Sequence, residues 1–235
     1  MLKVGGFTPL STTDWPDKLA AVVFVQGCPW RCHYCHNPEL QPRQEVQVPA
    51  GLVPDWPQVL RTLARRQGLL DGVVFSGGEP TLDPALPEAI ATVRAMGLGV
   101  GLHTAGIYPD RLAEVLPLID WVGFDLKAPF GDYAAITAVA HSGQPAQRSF
   151  DAVLHARAQQ GLSVEVRTTY HPRLHPHDTL VGMARELKAA GLDHWALQAF
   201  RPAHAAHTPW MADAAPVSPT LIEQIHAQGL KLTLR

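Results

Sequence analysis

Six short apolar runs recur along the chain, and longer stretches with helical spacing lie between them. The runs are AAVVFVQ (20–26), GVVFS (72–76), LGVGLHT (98–104), WVGFDL (121–126), LSVEVRTTY (162–170) and HWALQAF (194–200). β-Branched and aromatic residues dominate most of them, as in strands. Segments 55–67, 84–96, 109–118, 148–160, 178–190 and 218–228 read as helices. Leu180, Met183, Ala184 and Leu187, for example, share one helical face. Gly68, Gly97, Gly161 and Gly191 stand just past four of these segments, where helices end in left-handed backbone.

Strand–helix alternation repeated six times implies an α/β protein, a parallel sheet covered by helices. Right-handed crossovers leave an open doubly wound sheet or a barrel-like one. Both place ligands at the carboxyl ends of the strands. No repeat, low-complexity tract or clear linker divides the sequence, so residues 1–235 read as a single domain. PTLDPALP (80–87) and RPAHAAHTPWMADAAPVSP (201–219) are proline-rich and read as loops.

The chemically distinctive segments fall at one rim of such a sheet. CPWRCHYC (28–35) follows the first run and SGGEPT (76–81) the second. DLK (125–127) ends the fourth, Arg167 lies near the end of the fifth, and QAFRP (198–202) closes the sixth.

The first of these holds every cysteine of the chain, three in eight residues. The start of the sequence has no apolar signal-like core, and its apolar runs are far shorter than the ~18 residues a membrane span needs. A cytoplasmic chain is therefore expected. There, clustered cysteines in odd number point to metal or redox chemistry rather than disulfides. With 19 basic and 21 acidic side chains, bulk charge gives no reason to expect a nucleic-acid or membrane partner.

Three chemistries compete for the thiols. Structural zinc would need His33 or His36 as fourth ligand, and the usual second cysteine knuckle is missing. CHYCH (32–36) matches the haem-attachment pattern, but that leaves Cys28 unexplained. A four-iron cluster normally takes four thiolates, so three would leave one iron open for chemistry.

CPWRCHYC has the form C-x3-C-x2-C with Tyr34 just before the last cysteine. It resembles the signature loop of the radical S-adenosylmethionine (radical SAM) enzymes. GGEP (77–80) resembles that superfamily's second motif, which holds the methionine amino group of the cofactor. VQGCPWRCHYCHNPEL (25–40) narrows the resemblance to the activating enzymes of glycyl-radical proteins, which share the continuation at Cys35, His36 and Asn37. TTDWPDK (12–18) stands where they carry an acidic-glycine-proline segment, and HTAG (103–106) resembles their Asp-Thr-Asn-Gly turn. DLK and VEVRTTYHP (164–172) follow in matching order, so the likeness runs over roughly residues 3–205. QAFRP favours the activating proteins of anaerobic ribonucleoside-triphosphate reductase within that group.

The resemblance implies a partial (β/α)6 TIM-like barrel. It implies a [4Fe–4S] cluster on Cys28, Cys32 and Cys35, with S-adenosylmethionine on the fourth iron. Gly77 and Gly78 would let backbone approach the methionine moiety, Glu79 would accept from its ammonium, and Pro80 would fix the turn. Tyr34 and His36 would sit beside the cluster near adenine, with Thr104 on the ribose side. Asp125 and Lys127, two apart on a strand, would form an ion pair near ribose or carboxylate. Arg167 would grip a carboxylate, with Glu165 as the plainer structural partner. Arg201 stands where the pyruvate formate-lyase activator has a histidine near the cofactor, and His103 where it has a cation-associated aspartate; an imidazole is a poor cation ligand, so no such ion is expected. His171, His175 and His177 in HPRLHPH read as solvated loop histidines rather than a metal site.

The implied partners are a glycyl-radical protein, the large subunit of anaerobic ribonucleotide reductase, and a flavodoxin- or ferredoxin-type electron donor. Two other readings stand beside this one. One is a radical SAM enzyme acting on a small molecule or a different peptide; the other is a zinc-loaded, non-enzymatic module.

Overall fold

The computed structural model describes residues 1–43, 53–200 and 215–235, so Arg201 and most of the 201–219 segment lie outside it. Among these residues eight strands form one sheet, hydrogen-bonded in chain order. β1 (Val4–Ser11) pairs antiparallel with β2 (Ala20–Val25). From β2 onward every pairing is parallel, through β3 (Gly72–Gly77), β4 (Gly99–Thr104), β5 (Trp121–Asp125), β6 (Ser163–Tyr170), β7 (His194–Ala199) and β8 (Lys231–Leu234). β2 to β7 are the six strands expected from sequence. β1 and β8 are additions: one is broken by glycines and a proline, the other is four residues long, and neither carries a strong strand pattern.

The helices are α1 (Trp56–Ala64), α2 (Leu86–Ala95), α3 (Pro109–Val115), α4 (Tyr133–Thr137), α5 (Gly143–Gln160), α6 (His177–Ala189) and α7 (Pro219–Ala227). α1 begins where it does because Asp55 and Gln58 form a reciprocal cap, each side chain bonding the other's backbone at 2.8 Å. α5 starts five residues earlier than expected and α4 was not expected at all. The bend between them is held by a 2.7 Å hydrogen bond between the Thr137 and Ser142 hydroxyls. The expected terminal glycines all have positive φ, and Gly161 closes α5 by donating to the Arg157 carbonyl. Residues 80–87, read as loop, begin instead with a 3-10 turn (Pro80–Leu82) and run into α2.

Alternate strand residues face opposite ways. Val23, Phe75, Val100 and Val122 point outward and join α-helical residues such as Leu63, Ile90, Leu112 and Val153 in the main core. Ala20, Val22, Val74 and Trp121 point inward and close on Trp15, from the β1–β2 connection, as a second buried cluster. Inner residues of β2, β3 and β5 can share one cluster only if the sheet curls. With β1 and β8 as unpaired edges, the result is a partial barrel. Gly123 leaves room inside it, since a Cβ there would lie 2.8 Å from the Trp121 ring and 3.0 Å from that of His103.

Candidate cofactor-binding site

The segment after β2 turns into a loop that the rest of the protein holds in place. Gly27 and Cys28 donate to the carbonyls of Leu40 and Gln41 at 2.7 and 2.9 Å, which ties the loop's start to its end. Arg31 and His33 donate to the last carbonyls of α4, those of Thr137 and Ile136, at 2.9 and 3.1 Å. Arg31 also reaches back from Nη1 to the Cys28 and Trp30 carbonyls at 2.7 and 2.9 Å.

Cys28, Cys32 and Cys35 are all free thiols, and all three line a cavity of about 270 Å³ at the carboxyl ends of the strands. Burial and then the Glu79 charge push the Cys28 thiol up to about 12, and burial raises that of Cys32. Such thiols stay protonated at neutral pH unless a metal takes the proton's place. Among the described residues no three Cys, His, Asp or Glu groups are arranged to hold a single metal ion. The chain's three thiols are one fewer than a four-iron cluster normally takes, a set that leaves one iron open for chemistry.

The glycine turn after β3 is docked onto this loop. Gly78 donates to the Val25 carbonyl at 3.0 Å and Glu79 to that of Gly27 at 2.9 Å. Gly77 has φ of +119°, and a Cβ on Gly78 would lie 2.3 Å from the Gly27 oxygen. Gly78 is therefore demanded by the packing of the turn on the cysteine loop and Gly77 by its backbone angle and its closeness to β2, and both line the cavity.

Glu79 and Pro80 do not line it. Glu79 is fully buried behind the turn. Its Oε1 accepts from the Thr81 N–H at 3.1 Å, the Thr81 hydroxyl at 2.6 Å and the Thr104 hydroxyl at 2.8 Å; its Oε2 accepts from the Ala105 N–H at 3.0 Å. Burial raises its pKa against these hydrogen bonds. The carboxylate expected to meet a ligand's ammonium instead braces the turn against the end of β4. Thr104 does line the cavity.

The inner ends of β4, β5 and β6 form the opposite wall. Arg167 Nε and Nη2 both donate to Asp125 Oδ1, at 3.0 and 2.7 Å. The expected alternative, Glu165, is taken by Arg235 at 2.7 and 2.8 Å. Arg167 Nη1 lies 2.8 Å from His103 Nε2, and His103 Nδ1 lies 3.1 Å from the Ser76 hydroxyl. Burial and then Arg167 drive the His103 pKa down to about 3, so the ring is neutral. Burial works to raise the Asp125 pKa, but Arg167 and then Lys127 hold it below the ordinary carboxylate range.

The expected Asp125–Lys127 ion pair does not form. β5 ends at Asp125, so strict alternation no longer governs the residue two further on. The Lys127 ammonium lies instead 5.5 Å over the ring of Tyr34. Burial disfavours its charge, but Tyr34, Cys32 and Asp125 raise its pKa well above the ordinary value. Tyr34 is buried, and its hydroxyl has no hydrogen-bond partner among the described residues. His36 stacks on Phe200 at 5.9 Å, at the edge of the described residues. Tyr34, His36, Asp125, Lys127 and Arg167 all line the cavity, so of the expected cofactor contacts among the described residues only Glu79 and Pro80 are not in its lining, and Arg201 lies outside the described residues.

Two of the three histidines of HPRLHPH require a correction, while His177, at the start of α6, is partly exposed. His171 and His175 are among the most buried polar residues, at 0% and 1% exposure. The prolines fold the loop back, so that the His171 N–H donates to His175 Nδ1 at 3.3 Å and the Leu174 N–H to the His171 carbonyl at 3.0 Å. Burial lowers the His175 pKa. Asp14, Ser76 and His103 also line the cavity. Ser76 belongs to the SGGEPT segment placed at this rim from sequence and His103 to the HTAG resemblance; Asp14 comes from a loop whose position the sequence does not fix.

The description "Radical SAM superfamily" matches residues 22–180. A protein of Methanocaldococcus jannaschii provisionally named a glycyl-radical enzyme activating enzyme is 29% identical over 202 residues, 85% of this chain and 80% of that protein. The pyruvate formate-lyase-activating enzyme of Clostridium pasteurianum is 31% identical over 180 residues, 74% of this chain and 71% of that one. The crystal structure of a radical SAM methyltransferase from Sphaerobacter thermophilus superposes with a TM-score of 0.67 at 19% identity, covering 94% of this chain and 67% of that one.

Proposed function

The chain belongs to the radical SAM superfamily, and from that premise we propose that it is an activase that installs a glycyl radical in a partner enzyme. The observation that carries this reading is the single cavity shared by three unpaired thiols and the glycine turn docked against them. Similarity to activating enzymes over most of their length supports the choice of substrate class. The proposed partner is the large subunit of anaerobic ribonucleoside-triphosphate reductase, with a flavodoxin- or ferredoxin-type donor.

Cys28, Cys32 and Cys35 would hold the [4Fe–4S] cluster. When bound, the cluster and S-adenosylmethionine together supply reductive cleavage of the sulfonium and hydrogen-atom abstraction from a glycine Cα. The chain's own contribution is to bind, orient and keep water out. The loop bonds to α4 and to Leu40 and Gln41 preset the thiols. Gly77 and Gly78 leave the wall free of side chains where the methionine end would lie. Lys127, which makes no ion pair among the described residues, would take that end's carboxylate. Arg167, oriented by Asp125 and His103, would present a fixed guanidinium beside it. Thr104 would face the ribose, and Tyr34 and His36 the adenine side.

The test is anaerobic reconstitution, reduction with dithionite and addition of S-adenosylmethionine with the reductase large subunit. Formation of 5′-deoxyadenosine together with a glycyl-radical signal in electron paramagnetic resonance (EPR) is expected, and neither with Cys32→Ala. Deoxyadenosine without any glycyl radical, but with turnover of another substrate, would overturn the activase assignment and leave the superfamily chemistry standing.

A further inference from the structure

The histidine loop has no part in the reading above, yet it reaches the cavity wall. His175 accepts the His171 N–H at Nδ1, which leaves the proton on Nε2. Nε2 lies 2.7 Å from the Lys127 carbonyl and donates to it. On the other side of the same residue, the Lys127 N–H donates to the Tyr133 hydroxyl at 3.1 Å. The Lys127 main chain, past the end of β5, is thus clamped on both sides. Its ammonium lies over the face of Tyr34, and the His175 ring lies 6.5 Å from that same ring.

Lys127 needs such a clamp more than its neighbour Arg167 does. Arg167 is fixed by its bonds to Asp125 and His103. Among the described residues Lys127 makes no ion pair; its ammonium lies over the Tyr34 ring, and Cys32 and Asp125 act on its charge without fixing its position by a hydrogen bond. Where the backbone sits therefore decides where the charge points. We propose that His175 is a positioning residue for Lys127: by anchoring the Lys127 carbonyl it aims the Lys127 ammonium into the cavity beside the cysteine loop, ready for the carboxylate of the bound cofactor. This rests on the proposal that Lys127 meets that carboxylate.

The experiment measures S-adenosylmethionine affinity on the reconstituted protein, by calorimetry and by the change in the EPR spectrum of the reduced cluster. Lys127→Met is expected to weaken binding about tenfold, the scale of one lost charge-assisted hydrogen bond. His175→Leu should weaken it by a similar factor. His175→Gln, whose amide reaches the Lys127 carbonyl, should restore affinity to within about threefold of the native protein. In the Lys127→Met background His175→Leu should cost nothing further, because its effect runs through Lys127. Native affinity in His175→Leu, or a loss that simply adds to that of Lys127→Met, overturns the proposal. Unchanged affinity in Lys127→Met overturns the Lys127 reading itself, a separable result. If His175→Leu does not fold, His175→Asn replaces it, since its shorter amide serves His171 but not Lys127. Equal affinities for the Asn and Gln variants would then overturn the proposal.

Discussion

Trp15 stacks on Trp121 with ring centroids 5.7 Å apart and planes 18° from parallel. The pair fills the inside of the curled sheet, and His103 packs on the edge of Trp121 at 5.3 Å on the cavity side. The inside of the sheet is thus packed with aromatic rings beneath His103, which itself lines the cavity, and one of those rings, Trp15, comes from the β1–β2 connection.

Trp15→Ala should therefore destabilise the whole domain. Trp15 is buried, and removing so large a ring typically costs about 3–5 kcal/mol. Urea unfolding followed by far-ultraviolet circular dichroism measures this. An unchanged midpoint would mean that Trp15 covers the sheet without supporting it.

Gly78→Ala tests the docking of the glycine turn on the cysteine loop. A methyl group there meets the Gly27 carbonyl oxygen, and both neighbours are backbone with little freedom to move. The turn should lift off, leaving the fold largely intact but the thiols misplaced. Iron content and visible absorbance after reconstitution should fall several-fold, while the thermal midpoint moves by a few degrees. Full iron loading would show that the loop keeps its shape without the turn.

The parallel strands and the rim that holds the site were legible in the sequence because each carries a local signal. Val73, Val74 and Phe75 announce a strand; CPWRCHYC and GGEP announce their own chemistry. What the sequence concealed depends on which distant groups meet. Glu79 has the right type and place for a ligand contact, yet Thr81, Thr104 and Ala105 occupy its oxygens. Asp125 and Lys127 sit at the spacing of an ion pair, but the strand ends between them and Arg167 arrives from β6. His175 is buried only because its loop folds back over β5, a tertiary event no periodicity records.

Asp125→Asn should expose how much the Arg167 pair matters. The guanidinium is buried while the carboxylate is about a third exposed, 7% against 35% for the side chains, so solvent softens the loss. A cost of about 1–3 kcal/mol in thermal or urea unfolding is expected. Arg167→Lys should lose a similar amount, because one ammonium cannot reach both Asp125 and His103. A variant as stable as the native protein would show the pair to be neutral.

His103 makes stability depend on pH in a defined window. Its folded pKa is about 3, against ~6.5 in an unfolded chain. As pH falls below ~6.5 the unfolded chain takes up a proton that the folded ring refuses, so stability drops until the folded pKa is reached. Between pH 7 and 5 the loss from this one group is about 2 kcal/mol. His103→Asn cannot titrate and should show a correspondingly smaller drop in melting temperature over that interval. Equal drops in both proteins would mean that the native ring is protonated inside the fold, against Arg167.

Cys28 and Cys32 should be chemically quiet until iron arrives. Only the thiolate attacks an alkylating reagent, and Cys28 is held near 12 while an unfolded cysteine titrates near ~8.5. In the iron-free protein at pH 8, iodoacetamide should modify Cys28 at least about a hundredfold more slowly than in urea, as read by mass spectrometry of the cysteine peptide. Cys32, also raised by burial, should be slow as well. The same shift predicts that reconstitution releases protons, since thiol protons must leave as iron binds, and a weakly buffered solution should acidify on loading. Alkylation of Cys28 as fast in the folded as in the unfolded chain would show that the loop opens readily without metal, so that the bonds to Leu40, Gln41 and α4 do not preset it.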